Sequence, residues 1–264
     1  MAAGGAAVVI GDIVTFLTAS ANWHGPEGIP TRLLEHVQYS FVAVLIALLV
    51  ALPTGLLIGH TGKGTAVVAA IANSLRALPT IGLLIFFVVL ISPHIHGKGD
   101  AAYLIPSEIV LVLLAIPSIL SNTYAGVENV DPAARDAASG MGMTGSQVLF
   151  KVELPCALPL IMSGVRSATL QVVATTTIAA FVSLGGLGRY VFDGQAQQDY
   201  AQMAAGAVLV ALLAVLADFG LALLQRAIVS RGISGRYARR GAAAVPDRTD
   251  ALTADVVEAE VVRA

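Results

Sequence analysis

Long apolar runs dominate this sequence and restrict it to few kinds of fold. Five of them approach or exceed the roughly twenty residues that a helix needs to cross a bilayer, and they cover positions 39–58, 65–91, 103–124, 158–182 and 203–226. Mean hydropathy is +0.81 and only 12% of the 264 residues are charged, against about a quarter in a soluble domain. The chain is therefore predicted to be an all-α integral membrane protein with about five core transmembrane helices.

Prolines interrupt several of these runs. Pro53 predicts a kink in the first run, because proline removes a backbone donor and clashes with the preceding turn. Pro79 is expected to divide the second run into two helical halves. Pro106 and Pro117 interrupt the third.

The N-terminal segment is harder to interpret. Residues 1–22 are moderately apolar, but glycines and Asp12 interrupt them and the basic start of a secretory signal is missing. We interpret them as a surface or interfacial segment, with a sixth membrane span as the alternative. Positions 22–35 predict a loop followed by a short amphipathic helix that Thr31 caps.

Basic residues cluster after the last apolar run. Positive charge beside a membrane span marks its cytoplasmic end, so counting crossings backwards places residues 131–155 inside the cell and the N-terminus outside. The chain divides accordingly into an extracytoplasmic segment 1–37, a transmembrane domain 38–228 and a mixed-charge cytoplasmic tail 229–264 that is expected to be disordered. The cluster consists of Arg226, Arg231, Arg236, Arg239 and Arg240.

A polar island at 131–155 separates the third and fourth runs, and its first half predicts a short helix. Asp131 followed by Pro132 is a helix start, because the carboxylate accepts from free backbone N–H groups and proline needs no donor at the first helical position. Gly140 and Gly142 can take the left-handed conformation that ends the helix.

The second half of the island predicts another helix at an angle to the first. Thr144 with Gln147 three residues later is typical of a capping box. The helix would carry Val148, Leu149 and Val152 and end at Leu154, because Pro155 prevents further propagation. Two short helices joined by a glycine elbow make a protrusion that a groove in another protein can accept.

The island resembles the EAA loop of ABC-importer permeases, the inner-membrane components of binding-protein-dependent transport systems. Every interval of that motif matches, with two changes of side chain, Asp136 for glutamate and Val152 for isoleucine, that keep charge or shape. The alternative is an ordinary interfacial loop helix. The matching residues are Asp136, Ala137, Ala138, Gly142, Val152, Leu154 and Pro155.

Flanking runs narrow the resemblance to the glycine betaine, choline and carnitine group of osmoprotectant importers. They are ALPTIGLL at 77–84, IPSILSNTYAGV at 116–127 and SLGGLG at 183–188, and the resemblance covers roughly positions 33–226. It implies a type I importer fold and a dimer of membrane subunits in the bacterial inner membrane. It also implies two copies of a cytoplasmic ATPase that bind ATP and magnesium, and an extracytoplasmic substrate-binding protein.

Catalytic and cofactor motifs are missing from the sequence. A phosphate-binding loop needs GxxxxGK[ST], and no glycine run here supplies it, so the chain is not expected to hydrolyse ATP. His94 and His96 lack companions at metal-ligand spacing. The single Cys156 excludes an internal disulfide framework. No metal, cofactor or nucleic-acid partner is predicted for this chain.

Several residues are candidates for the coupling contact and the transport path. Asp136 is expected to contact the ATPase, the alternative being a solvated acid that stabilises its own helix. Arg76 lies inside the second run and should face protein or water, with Asp218 as a possible partner. The path and gate candidates are Arg76, Pro79, Asn122, Thr176, Gly185, Gly186 and Gly188; alternatively, the hydroxyls bond to helix carbonyls and the glycines form a plain helix terminus.

Three other functions remain as alternatives. The first is an ABC permease for another small solute such as an amino acid, and the second is an ion-coupled carrier, although no inverted repeat is evident. An intramembrane enzyme is disfavoured by the absence of HExxH and GxSxG. Because only 6% of residues are aromatic, a cation-π cage for a quaternary ammonium is not expected, and substrate choice is assigned to the binding protein.

Overall fold

The computed structural model describes residues 2–95 and 101–229, apart from the side chains of residues 2–9, Asn73 and Arg76. Within those ranges the regular elements are helical. They are α1 Ala2–Thr18, α2 Ile29–Thr61, α3 Thr65–Ala77, α4 Thr80–Ile91, α5 Ala101–Glu128, α6 Pro132–Gly140, α7 Gly145–Val148, α8 Leu154–Ala179, α9 Gly188–Gln197 and α10 Tyr200–Ile228, with short 3₁₀ turns and a π-helical turn at Leu149–Glu153.

Four helical stretches in the described part of the chain are long and apolar enough to cross a membrane: Ile29–Thr61, Ala101–Glu128, Gly145–Val182 and Tyr200–Ile228. The predicted second run is present as α3 and α4, separated at Leu78 and Pro79. The predicted break at this proline is therefore confirmed, and Pro79 becomes the residue that precedes the first turn of α4. The all-α membrane fold is also confirmed.

The core of the bundle is formed by α2, α5 and α8. Ala43, Ala47 and Ala51 are fully buried at every fourth position of α2 and pack against Ile119 of α5 and Val172 of α8. Residues spaced by four lie on one face of a helix, and small side chains there allow backbones to approach closely. This face of α2 is therefore a contact stripe between helices.

The beginning of the first span was predicted wrongly. One continuous helix runs from Ile29, so the predicted amphipathic segment and the first span are the same element. Gly28, not Thr31, precedes the first turn, and the Thr31 hydroxyl instead donates to the Gly25 carbonyl over 3.1 Å. Pro30 stands in the first turn, where a proline is tolerated because its missing N–H would be unpaired anyway.

The N-terminal helix is described by the structure, whereas most of the predicted C-terminal tail is not. Helix α1, with 17 residues, is not among the four stretches long enough to span a membrane within the described residues. The chain to Gln225 forms one compact unit. The predicted tail beyond position 229, with Arg231 and the later arginines of the basic cluster, lies outside the described residues.

Candidate functional site

The island begins with the predicted helix cap. The Asp131 carboxylate accepts a hydrogen bond from the Ala133 N–H over 3.0 Å, and Pro132 occupies the first turn of α6. This contact pairs one of the N–H groups that a helix start leaves free. The sequence prediction for this helix start is confirmed.

A glycine elbow follows α6, and only one of the two predicted glycines forms it. Gly142 has φ +85°, whereas Gly140 is the last residue of the α-helix. An added Cβ at Gly142 would meet nothing within 4 Å. Glycine is needed here because of its backbone conformation, and not because of close packing.

The second short helix has the predicted capping box. Thr144 and Gln147 cap each other reciprocally, and the Thr144 N–H donates to Gln147 Oε1 over 2.9 Å. The helix that follows does not end before Pro155, which corrects the prediction. It widens into the π-helical turn Leu149–Glu153 and continues into α8.

The π-helical turn explains why the proline is tolerated. In an α-helix the ring of Pro155 would clash with the carbonyl four residues earlier and leave it unpaired. A π-helical turn bonds over five residues and adds one residue to the turn. The chain therefore passes from α7 to α8 without a break.

The residues that match the EAA loop differ in exposure. Asp136 and Ala137 are exposed on α6, and Ala138 is buried at 2% exposure. Val152, Leu154 and Pro155 are half-buried. Asp136, Ala137 and Gly142 are therefore the accessible residues of the motif, and its role in a contact with another protein stays a prediction.

A buried charge at the end of the π-helical turn was not predicted. The Glu153 side chain is 1% exposed and lies 2.6 Å from His60 Nδ1 and 3.0 Å from Arg135 Nε. Arg135 also donates to the Val127 carbonyl. The three charged or titratable side chains come from α2, α6 and the turn, so no local pattern in the sequence connects them.

The glycine run at 183–188 is neither a plain helix terminus nor an extended loop. Ser183 and Gly186 have φ +68° and +90°, and α9 begins at Gly188. Glu35 of α2 accepts a hydrogen bond from the Gly186 N–H over 2.8 Å. The glycine run is thus attached to the first turns of α2, and the helix α9 that follows it was not predicted.

Polar groups of α2 and α8 meet beneath the glycine run. His36 Nε2 lies 3.0 Å from the Val173 carbonyl oxygen, and the hydroxyls of Ser40 and Thr176 lie 3.1 Å apart. Both hydroxyls and the His36 ring are buried. Thr176 also donates to the Val172 carbonyl over 2.9 Å, so the predicted path residue serves as a link between helices in this structure.

A cavity of about 580 Å³ lies beside this region, between the N-terminal residues, α2, α9 and α10. Charged side chains that line it form ion pairs: Arg32 lies 3.7 Å from Glu27, and Arg189 lies 2.7 Å from Asp193. The Tyr190 hydroxyl donates to the Glu27 carbonyl over 2.6 Å. Burial raises the pKa of Tyr190, which favours the protonated, donating form.

Arg76, Pro79 and Asn122 are the remaining path candidates. The Arg76 side chain lies outside the described residues. Asp218, its suggested partner, is instead held by a bidentate contact from Arg166 of α8, which corrects that pairing. Asn122 donates to the Ser118 carbonyl of its own helix over 2.8 Å, and Pro79 is exposed between α3 and α4.

Sequence reasoning overlooked two charged residues inside the apolar runs. Arg166 stands in α8, and Glu108 of α5 has a buried Oε2 without a hydrogen-bond partner among the described residues. An ionisable residue within a membrane span indicates a function or an ion pair. On this criterion Arg166 and Glu108 could have been selected from the sequence. Within the described residues no group of His, Cys, Asp or Glu is arranged to hold a metal ion.

The chain is similar to known transport proteins over most of its length. Residues 31–230 match the family described as "Binding-protein-dependent transport system inner membrane component". The glycine betaine/carnitine/choline transport system permease protein OpuCB of Bacillus subtilis is 33% identical over 76% of this chain and 88% of its own length. The osmoprotectant import permease protein OsmW of Salmonella typhimurium is 34% identical over 75% and 91%.

A solved structure shares the fold. The MetNI methionine ABC transporter in an inward-facing conformation has a chain that superposes with a TM-score of 0.65 at 24% identity, covering 76% of this chain and 96% of that one. The family comprises transport permease subunits, and the four apolar helical stretches agree with a multi-pass membrane protein. The chain belongs to the family of inner membrane components of binding-protein-dependent transport systems.

Proposed function

We propose that this chain is the membrane-spanning permease subunit of an ATP-driven importer for a quaternary-ammonium osmoprotectant such as glycine betaine, choline or carnitine. Two relatives named for these solutes are 33% and 34% identical over about three quarters of the chain, and a relative named for osmoprotectant import is 34% identical. Amino-acid import is the weaker proposal, because the methionine transporter is only 24% identical.

The observation that carries the proposal is the shape of the island. Helix α6 is capped at its start, exposes Asp136 and Ala137, and is followed by the left-handed Gly142. Small exposed side chains allow a partner to approach closely, and an exposed carboxylate offers it a charge-assisted contact. The proposed partner is a cytoplasmic ATPase that binds ATP and magnesium, with Asp136 facing a basic residue of its groove.

The other proposed partners follow from the same assignment. A second permease subunit completes the path, and an extracytoplasmic binding protein delivers the solute. Ring contacts among the described residues occur in pairs, Phe16 with Tyr190, Phe86 with Phe87 and Phe181 with Phe192. An aromatic cage for a quaternary ammonium needs several rings around one cation, and the low aromatic content of 6% supports placing substrate choice in the binding protein.

Reconstitution tests the proposal. The chain would be placed in liposomes with its partner permease, its ATPase inside and its binding protein outside, and uptake of radiolabelled glycine betaine, carnitine, choline and methionine would be compared. Uptake of at least one quaternary ammonium that needs both ATP and the binding protein is expected, and a hydrolysis-deficient ATPase should abolish it. Uptake of methionine alone, or uptake driven by an ion gradient without ATP, would refute the assignment.

A further inference from the structure

The buried Glu153 is placed where the island joins the membrane bundle. It is the last residue of the π-helical turn, and Leu149, Ala157 and Val127 are buried close to this point in one apolar cluster. A carboxylate taken out of water is costly unless it is paired and hydrogen-bonded. Its position therefore depends on the partners that the fold brings to it.

Each oxygen of Glu153 meets a different segment. Oε2 lies 2.6 Å from His60 Nδ1 in the last turn of α2, and Oε1 lies 3.0 Å from Arg135 Nε in α6. Arg135 in turn donates to the carbonyl of Val127 near the end of α5. One carboxylate thus connects α6 with α2, and the arginine connects it with α5.

Apolar packing holds α6 only weakly. Of its nine residues only Ala138 is buried. The contact through Arg135 is therefore a large part of what fixes α6 to the bundle. A movement of α6 reaches the spans only if such a link is stiff. The carboxylate at its centre is 1% exposed, although Arg135 and His60 are 27% and 28% exposed and Arg135 Nε contacts it as an ion pair without hydrogen-bond geometry. Burial of one partner makes such a contact stronger than a pair in which both groups are exposed.

We propose that Arg135, Glu153 and His60 form a positioning cluster that transmits movement of α6 to α2 and α5 and so couples ATP hydrolysis to opening of the path. The inference rests on the proposed function, because it takes α6 as the surface that the ATPase moves. The residues touch neither solute nor nucleotide. Their effect is on the ratio of transport to hydrolysis.

The test uses Glu153→Gln, which keeps the shape of the side chain and removes its charge. Glu128→Gln is the matched control, because Glu128 is exposed at the end of α5. In the reconstituted complex, solute transported per ATP hydrolysed should fall about tenfold in Glu153→Gln, the size of a typical coupling between sites, while the ATPase still binds and hydrolyses. Glu153→Asp should recover part of this ratio, and Glu128→Gln should keep it.

Two outcomes separate the inference from a purely structural role and from the proposed function. If Glu153→Gln lowers complex assembly and hydrolysis together with an unchanged ratio, the coupling role is wrong. If the wild-type chain binds no ATPase, the proposed function fails. Amide hydrogen exchange can be measured on the purified permease without the ATPase and without transport. The α6 amides should exchange about tenfold faster in Glu153→Gln than in the wild type, as expected for local opening. Unchanged protection of these amides would show that Glu153 does not hold α6.

Discussion

The carboxylate of Glu35 and the backbone nitrogen of Gly186 lie 2.8 Å apart although 151 positions separate them in the chain. The contact attaches the glycine run 183–188 to the first turns of α2. The same carboxylate has a second partner, because Arg32 Nη1 lies 3.1 Å from it. The glycine run is therefore positioned by one acidic side chain that has partners on both sides.

Gly185→Ala should release this loop. A Cβ at Gly185 would lie 2.2 Å from Glu35 Oε2, so the carboxylate must leave the Gly186 N–H. We expect a loss of stability of about 1–3 kcal/mol, the usual cost of overpacking, measured by thermal unfolding in detergent. Gly11→Ala is the control, because nothing lies within 4 Å of an added Cβ there; equal melting temperatures for the two variants would contradict the contact.

Gly188→Ala should disturb the docking of α9 on α8. The added Cβ would lie 2.2 Å from the Thr177 carbonyl oxygen and 2.8 Å from its Cα, and backbone atoms cannot rotate away as a side chain can. The melting temperature should drop clearly. Gly220→Ala in α10 meets nothing within 4 Å and should be neutral or stabilising by up to about 1 kcal/mol, because alanine has the higher helix propensity.

Gly59→Ala tests the close approach of α2 and α5. The new Cβ would lie 2.6 Å from the Val127 Cβ and 2.8 Å from the Tyr124 carbonyl oxygen. The substitution should destabilise the bundle, and Val127→Ala should recover only a small part of the loss, because it removes Cγ1, 3.0 Å from the new atom, but keeps the clashing Val127 Cβ. A double-mutant cycle measures this coupling; strictly additive losses would show that the helices are not in contact at this pair.

Arg166 and Asp218 should depend on each other. Their bidentate contact joins α8 to α10, and a charged group within a membrane span is costly when its partner is removed. Arg166→Leu and Asp218→Leu are each expected to lower the yield of folded protein in the membrane. The double variant should be better tolerated than either single one, as judged by size-exclusion profiles after solubilisation.

Gly142→Asp tests the elbow of the island. The left-handed backbone strains a residue with a side chain by roughly 1–2 kcal/mol, but no clash opposes it, so the subunit should still reach the membrane while uptake falls. Gly140→Asp is the control at an exposed, helical position. Normal uptake and normal ATPase association of Gly142→Asp would exclude a coupling role for the elbow.

Sequence reasoning succeeded where the determining contacts are local. Asp131 caps its own helix over two positions, Thr144 and Gln147 cap each other over three, and Pro79 breaks the run that contains it. Each of these features follows from a side chain and the backbone beside it. They could be predicted without knowing what packs against them.

The unpredicted features depend on contacts between distant positions. His60 and Glu153 are 93 positions apart, and Arg166 and Asp218 are 52 apart. Nothing near Glu153 in the sequence indicates that it is buried. Another charged residue, Lys151, stands two positions before it, and the structure leaves that side chain exposed. The helix also continues through Pro155 because of the π-helical turn before it, and no residue motif predicts a π-helical turn.

The extra residue in the π-helical turn Leu149–Glu153 makes this chain sensitive to an insertion or deletion at that point. Loss of one residue there would restore ordinary α-helical spacing and rotate everything before it by about 100° relative to α8, the angle per residue of an α-helix. The island would then point Asp136 in another direction while keeping its own internal geometry. Chain length within this single turn therefore sets the direction in which the island at 131–155 points.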